Sequence, residues 1–181
     1  MIRHLVRLLR HRNPPSREAR RQLDGELTPQ LGRVLSAGDV PVLNVYLAGR
    51  FARREELRLA ATDLAELGCN VTSRWLFVDA SIPGGVLVGR GRAAEIARMD
   101  FEDVKKADVC IAFTEPVDGP QGRGGRHTEL GIALALGHRI LIVGPREHVF
   151  HCHAGIEHCS DWSEARAHLA RMSAQRELAA A

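Results

Sequence analysis

An α/β fold, a parallel sheet with helices over both faces, is what the sequence predicts. Short continuous apolar runs read as strands buried on both sides. Between them lie longer stretches whose apolar residues recur at three and four, the helical period. The two kinds alternate along the chain, and that order calls for a parallel sheet joined by helical crossovers.

The first run is Val42-Leu43-Asn44-Val45-Tyr46-Leu47-Ala48-Gly49, a strand closed by glycine. A helix follows from Arg50 to Gly68, with Leu57, Ala60, Ala61, Leu64 and Leu67 in phase and Gly68 as its C-terminal stop. Cys69 to Leu76 reads as a second strand and Pro83-Gly84-Gly85 as a loop. Residues 90–106 predict a helix that buries Ala93, Ile96, Ala97, Met99, Phe101 and Val104. Asp108 to Phe113 is the third strand. Gly122-Arg123-Gly124-Gly125 opens a small-residue helix that stops at Gly137, and Arg139 to Gly144 is the fourth strand. A short fifth strand is expected over 156–159, then a helix over 161–175 started by Asp161 or Ser163.

Composition narrows the function classes. The 181 residues suit one domain of about 41–165, with a basic extension over 1–40 and a C-terminal helix or tail over 166–181. Net charge is +3, and residues 1–40 hold eight arginines against four acids, so that segment carries the whole excess. The near-neutral body argues against a nucleic-acid face. Leu5, Leu8 and Leu9 could line a basic helix on a membrane or nucleic acid, but a solvated extension is the preferred reading. No run approaches the roughly 20 apolar residues that span a bilayer, and no small-residue cleavage site follows the first leucines, so a cytoplasmic setting is expected. Cys69 and Cys110 read as buried apolar residues.

In such a sheet, ligands bind beyond the carboxyl ends of the strands. Three segments meet there: Ala48 to Arg54, Phe77 to Arg92, and Thr114 to Glu129. Glu129 stands where the glycine loop becomes helix, a position that favours the ionised carboxylate. Its neighbours at three and four, Ile132 and Ala133, run into the core. A nucleophile or electrostatic partner is one reading of Glu129, and an early-helix residue capping its own helix is the other. Gly49 would let a ligand approach the end of the first strand. Arg50, Phe51, Arg53 and Arg54 follow it, and Arg123 and Arg126 flank the glycine loop. Either arginine set could grip a phosphate or carboxylate. Asp108 starts a strand and reads as structural, whereas Asp100 has no such local reason. The loop matches neither the dinucleotide fingerprint nor the P-loop, so no cofactor is expected. His151-Cys152-His153 and His158-Cys159 fit no zinc spacing, and no metal site is expected.

Val45-Tyr46-Leu47-Ala48-Gly49, the spacing of Asp100 to Asp108, and Gly125 through Glu129-Leu130-Gly131-Ile132-Ala133-Leu134-Ala135 resemble the nucleoside 2-deoxyribosyltransferase superfamily, which includes the deoxynucleoside 5′-monophosphate N-glycosidases. The resemblance spans roughly residues 42–145 and implies a flavodoxin-like, Rossmann-like three-layer fold with five parallel strands. It implies that Glu129 attacks the anomeric carbon to form a covalent glycosyl-enzyme, that Tyr46 holds Glu129, and that Asp100 is a second acid touching the nucleoside. It also implies a homodimer or larger assembly. Transferases of the family carry an aspartate where this chain has Arg123 and a glycine where it has His127. Those departures leave Arg123, Gly125 and Arg126 as a candidate clamp for a 5′-phosphate, and His127 as a candidate proton donor. The partner so implied is a nucleoside or nucleotide, hydrolysed or used as a glycosyl donor. A non-catalytic module that binds a nucleotide or an ADP-ribose-type ligand is the alternative.

Overall fold

The computed structural model of the protein describes residues 42–78, 89–116, 118–119 and 124–180. The basic segment 1–40, the Pro83-Gly84-Gly85 loop and Arg123 lie outside the described residues.

Five strands form one sheet: β1 (Asn44–Ala48), β2 (Asn70–Val71), β3 (Val109–Phe113), β4 (Arg139–Val143) and β5 (Ile156–Cys159). Their order is β2-β1-β3-β4-β5 and every pairing is parallel. This is the flavodoxin-like order, whose connection reverses direction between β1 and β3. The intervening helices are α1 (Arg54–Glu66), α2 (Arg90–Lys106), α3 (Gly125–Ala135) and α4 (Trp162–Ala180). α1 and α4 are joined by the Trp162 indole, which donates to Asp63 at 2.7 Å. α2 and α3 are neighbours in the other layer. Phe113 lies 5.7 Å from Trp162 between ring centroids, so that face of β3 looks toward α4. Cys110, three positions earlier, looks the opposite way.

The apolar strands explain the core. Val45, Tyr46, Leu47, Val109, Cys110, Ile111, Ile140, Leu141 and Ile142 have no accessible surface. Glycine at φ +73° (Gly68) and +74° (Gly137) ends α1 and α3, as read from the sequence. Asp108 has the structural role expected of it: its carboxylate accepts the Asn44 amide at 2.8 Å and pairs with Arg176 at 3.2 Å.

Four expectations need correction. The second strand is only Asn70–Val71, followed by a 3-10 turn over Arg74–Leu76. Side chains replace the missing ladder: Ser73 Oγ accepts the Leu47 amide at 2.6 Å, and the Trp75 indole donates to the Leu47 carbonyl at 3.0 Å. The inward face of α2 is also rotated from the one expected. Asp103 and Val104 are buried, while Ala97 and Phe101 are exposed. Asp103 turns inward because it accepts the Arg74 amide at 3.0 Å and the Arg74 guanidinium at 2.7 Å. At the other end, α4 runs unbroken to Ala180 and buries Ala165 and Leu169, so a division at 165 falls within one packed helix.

The fourth correction concerns Gly49, read from the sequence as an opening for ligand. A Cβ there would stand 2.7 Å from Leu57 Cδ2, and Leu57 is fully buried. The glycine admits α1 against the end of β1. Gly49→Ala is expected to cost about 1–3 kcal/mol of stability through overpacking, measurable by urea unfolding.

Candidate active site

Three titratable side chains converge from three elements. Tyr46 is the third residue of β1, Asp100 lies in α2, and Glu129 is the fifth residue of α3. The register sets Tyr46 directly beside Cys110 of β3. Both Tyr46 and Cys110 feel the charge of Glu129, and Tyr46 also feels Asp100. The sheet therefore offers one face to a cluster built from β1, β3, α2 and α3.

Electrostatics within the cluster differ from the expectation for a helix start. Burial, followed by the charge of Asp100, pushes the Glu129 carboxyl up to about 8, while Tyr46 pulls it down. A helix N-terminus favours a carboxylate by about 0.3–1 kcal/mol, less than one pK unit. Crowding by protein outweighs that, although part of Glu129 remains accessible. The uncharged form of Glu129 therefore predominates at neutral pH, not the ionised form expected from the sequence. Burial and the nearby Asp103 raise Asp100 to about 6, against the pull of Arg74. Near pH 7 the two carboxyls together hold about one proton, and they titrate as a coupled pair.

The polar atoms here are incompletely paired. The Tyr46 hydroxyl and Asp100 Oδ1 are buried without a formed hydrogen bond among the described residues. Tyr46 stands near enough to Glu129 to influence its proton, yet off the geometry of a formed bond. Buried polar atoms left unpaired cost stability, which gives them a reason to meet a ligand.

Around the cluster, the arginines are more committed than the sequence implied. Arg53 donates to the Thr114 carbonyl at 3.0 Å and pairs with Glu115 at 3.3 Å and Glu56 at 2.6 Å. Arg54 donates to the carbonyls of Leu76 and Val78. Arg50 approaches Glu115 only to 4.0 Å. Phe51 is 53% exposed and lies 6.4 Å from the Trp75 ring. Gly125 begins α3, and a Cβ there would meet nothing within 4 Å among the described residues.

Arg126 corrects the idea of a free phosphate clamp. It is 6% exposed, and its guanidinium pairs with Glu147. Glu147 also accepts the Glu115 amide at 2.9 Å. Arg126→Ala would leave the half-buried Glu147 carboxylate without its cation and is expected to cost about 1–3 kcal/mol, read as a fall in unfolding midpoint. A clamp serving substrate alone would leave the midpoint in place. His127 is corrected too: burial and the neighbouring Arg126 lower its pKa below the usual histidine value, which disfavours the protonated donor form.

Asp103, Glu115 and Glu147 escaped the sequence reading. Asp100, Asp103, Val104 and Ala107 share one helical phase, and that spacing was the available signal for Asp103. Glu147 sits in a loop, where no periodicity marks it.

These features define an α/β protein of flavodoxin-like topology with two coupled carboxyls and a buried phenol against the central strands. Among solved structures it is similar to a CMP N-glycosidase of Clostridium botulinum, with 20% identity, 70% of this chain and 97% of that chain covered, and a TM-score of 0.44. A likeness of that size carries no argument about chemistry. No family model matches the chain, and no curated protein matches it. Among the described residues, no helix is long and apolar enough to cross a membrane.

Proposed function

We propose that the protein cleaves the N-glycosidic bond of a nucleoside 5′-monophosphate, with Glu129 as the nucleophile. The observation that carries this reading is the convergence of Glu129, Asp100 and Tyr46, with unpaired polar atoms, against β1 and β3. Ionised Glu129 attacks the anomeric carbon and forms a glycosyl ester. The carbon–nitrogen bond breaks, its electron pair leaves with the base, and the base takes a proton. Water then adds at the anomeric carbon, gives one proton to the Asp100 carboxylate, and breaks the ester to return the Glu129 carboxylate.

The single proton of the carboxyl pair suits this sequence of events. Drawn toward Asp100, it leaves Glu129 ionised for attack and provides an acid beside the departing base. Exposed Phe51 offers a stacking surface for the base. Arg50, held only loosely by Glu115, and Arg123 are the cations proposed to meet the phosphate.

Incubation with a panel of deoxynucleoside and nucleoside monophosphates, followed by chromatography for free base, tests the reading. Base release from a monophosphate, exceeding that from the free nucleoside, is expected. Saturable nucleotide binding with no free base would instead establish a sensor on the same fold.

A further inference from the structure

Beside the carboxyl cluster lies a second group of titratable side chains. His127 comes from the first turn of α3, while His148 and His151 come from the segment after β4. One nitrogen from each lies within 4.8 Å of the others. His148 Nε2 faces His127 Nδ1 at 3.0 Å, and the His148 and His151 rings are 3.8 Å apart between centroids. His151 is 1% exposed, and among the described residues its Nε2, His148 Nδ1 and Glu147 Oε2 are buried without a hydrogen bond.

We propose that His127, His148 and His151 form a binding site for one divalent transition-metal ion, with zinc as the best-fitting ion. Three imidazoles leaving one coordination position open suit zinc, whose bonds to nitrogen of about 2.0–2.1 Å hold tetrahedral ligands about 3.3 Å apart. His148 Nε2 and His127 Nδ1 are already near that separation. They share one proton, which the metal replaces. His127 Nε2 is then left protonated 3.6 Å from Glu147 Oε2, the arrangement in which a carboxylate orients a metal-bound histidine. Arg126 and the Glu115 amide hold the other oxygen of that carboxylate.

His151 supplies the third nitrogen. Its Nδ1 accepts the Glu147 amide at 3.1 Å, so the neutral ring carries its proton on Nε2 and must turn over to present a lone pair. The bound ion would tie the start of α3, two residues before Glu129, to the segment that follows β4.

The test uses the full chain, stripped with chelator and titrated with Zn2+. One ion per chain and a rise in melting temperature are expected. The His148→Gln/His151→Gln pair should weaken binding by more than the about 10–100-fold that loss of an outer partner costs. His153→Gln should leave affinity unchanged, because His153 bonds the Gly155 amide instead. Equal affinity in the double variant, or equal loss in His153→Gln, overturns the site. If the double variant does not fold, Co2+ bound to the unaltered chain decides. Four-coordinate visible bands without a thiolate charge-transfer band support three histidines; a thiolate band means that a cysteine binds, and the site is wrong.

Discussion

Glu129→Gln is expected to lower release of free base by about a thousandfold or more, with the fold retained. The amide keeps the size of the side chain and its capacity to meet Tyr46, but it cannot form a glycosyl ester. The same substitution should reveal the burden that Glu129 places on the fold. Its pKa is about 8 in the folded chain and 4.5 for the ordinary carboxyl. Between those values the folded state holds a proton that the unfolded state gives up, so stability falls as pH rises through this window. Glu129→Gln removes that fall. Its melting temperature should match that of the unaltered protein at about pH 4 and exceed it at about pH 9. Both proteins are compared after chelation, so that metal at His127 does not enter. Equal pH dependence of the two would mean that Glu129 does not titrate as described.

Asp100→Asn is the second large effect. If the reactive form is the pair holding one proton, kcat/KM of the free enzyme should rise with pH through a limb near 6 and fall through one near 8. The Asp100 charge is the second cause of the upper value, after burial. Asp100→Asn should abolish the falling limb and leave a single rising limb, the ionisation of Glu129, below 8, because ionised Glu129 no longer faces a like charge. The maximal rate should fall by about 10²–10⁴-fold, the usual loss with a positioned acid. A merely structural Asp100 would lower activity without removing the falling limb. The chelated protein is again the form to measure.

The alternation of strands and helices was legible in the sequence because a parallel sheet buried on both faces needs continuous apolar runs. β1, β3 and β4 fall within a few residues of the expected positions for that reason. The second strand was overread, since Ser73 and Trp75 satisfy the β1 backbone through side chains and no backbone pattern records it. The face of α2 was misplaced because two inward carboxylates, Asp100 and Asp103, occupy positions that a hydrophobic pattern assigns to solvent. Glu129 stood out as a lone carboxylate on an apolar helix. Its protonation did not, because burial depends on α2 and β1 packing around it. Arg126 looked free only because Glu147, twenty-one residues away, lies beside it through the fold. The histidine cluster was hidden for the same reason: spacing along His151-Cys152-His153 says nothing of His127.

The central claim is that Glu129 takes up the sugar covalently. Acid-quenched turnover of a 2-deoxy-2-fluoro nucleoside monophosphate, which slows release of the sugar, followed by peptide mass spectrometry, tests it most directly. The predicted result is base release with the fluorosugar mass on the α3 peptide at Glu129. Base release with the sugar on another residue, or with no sugar retained by a protein that turns the analogue over, would contradict it.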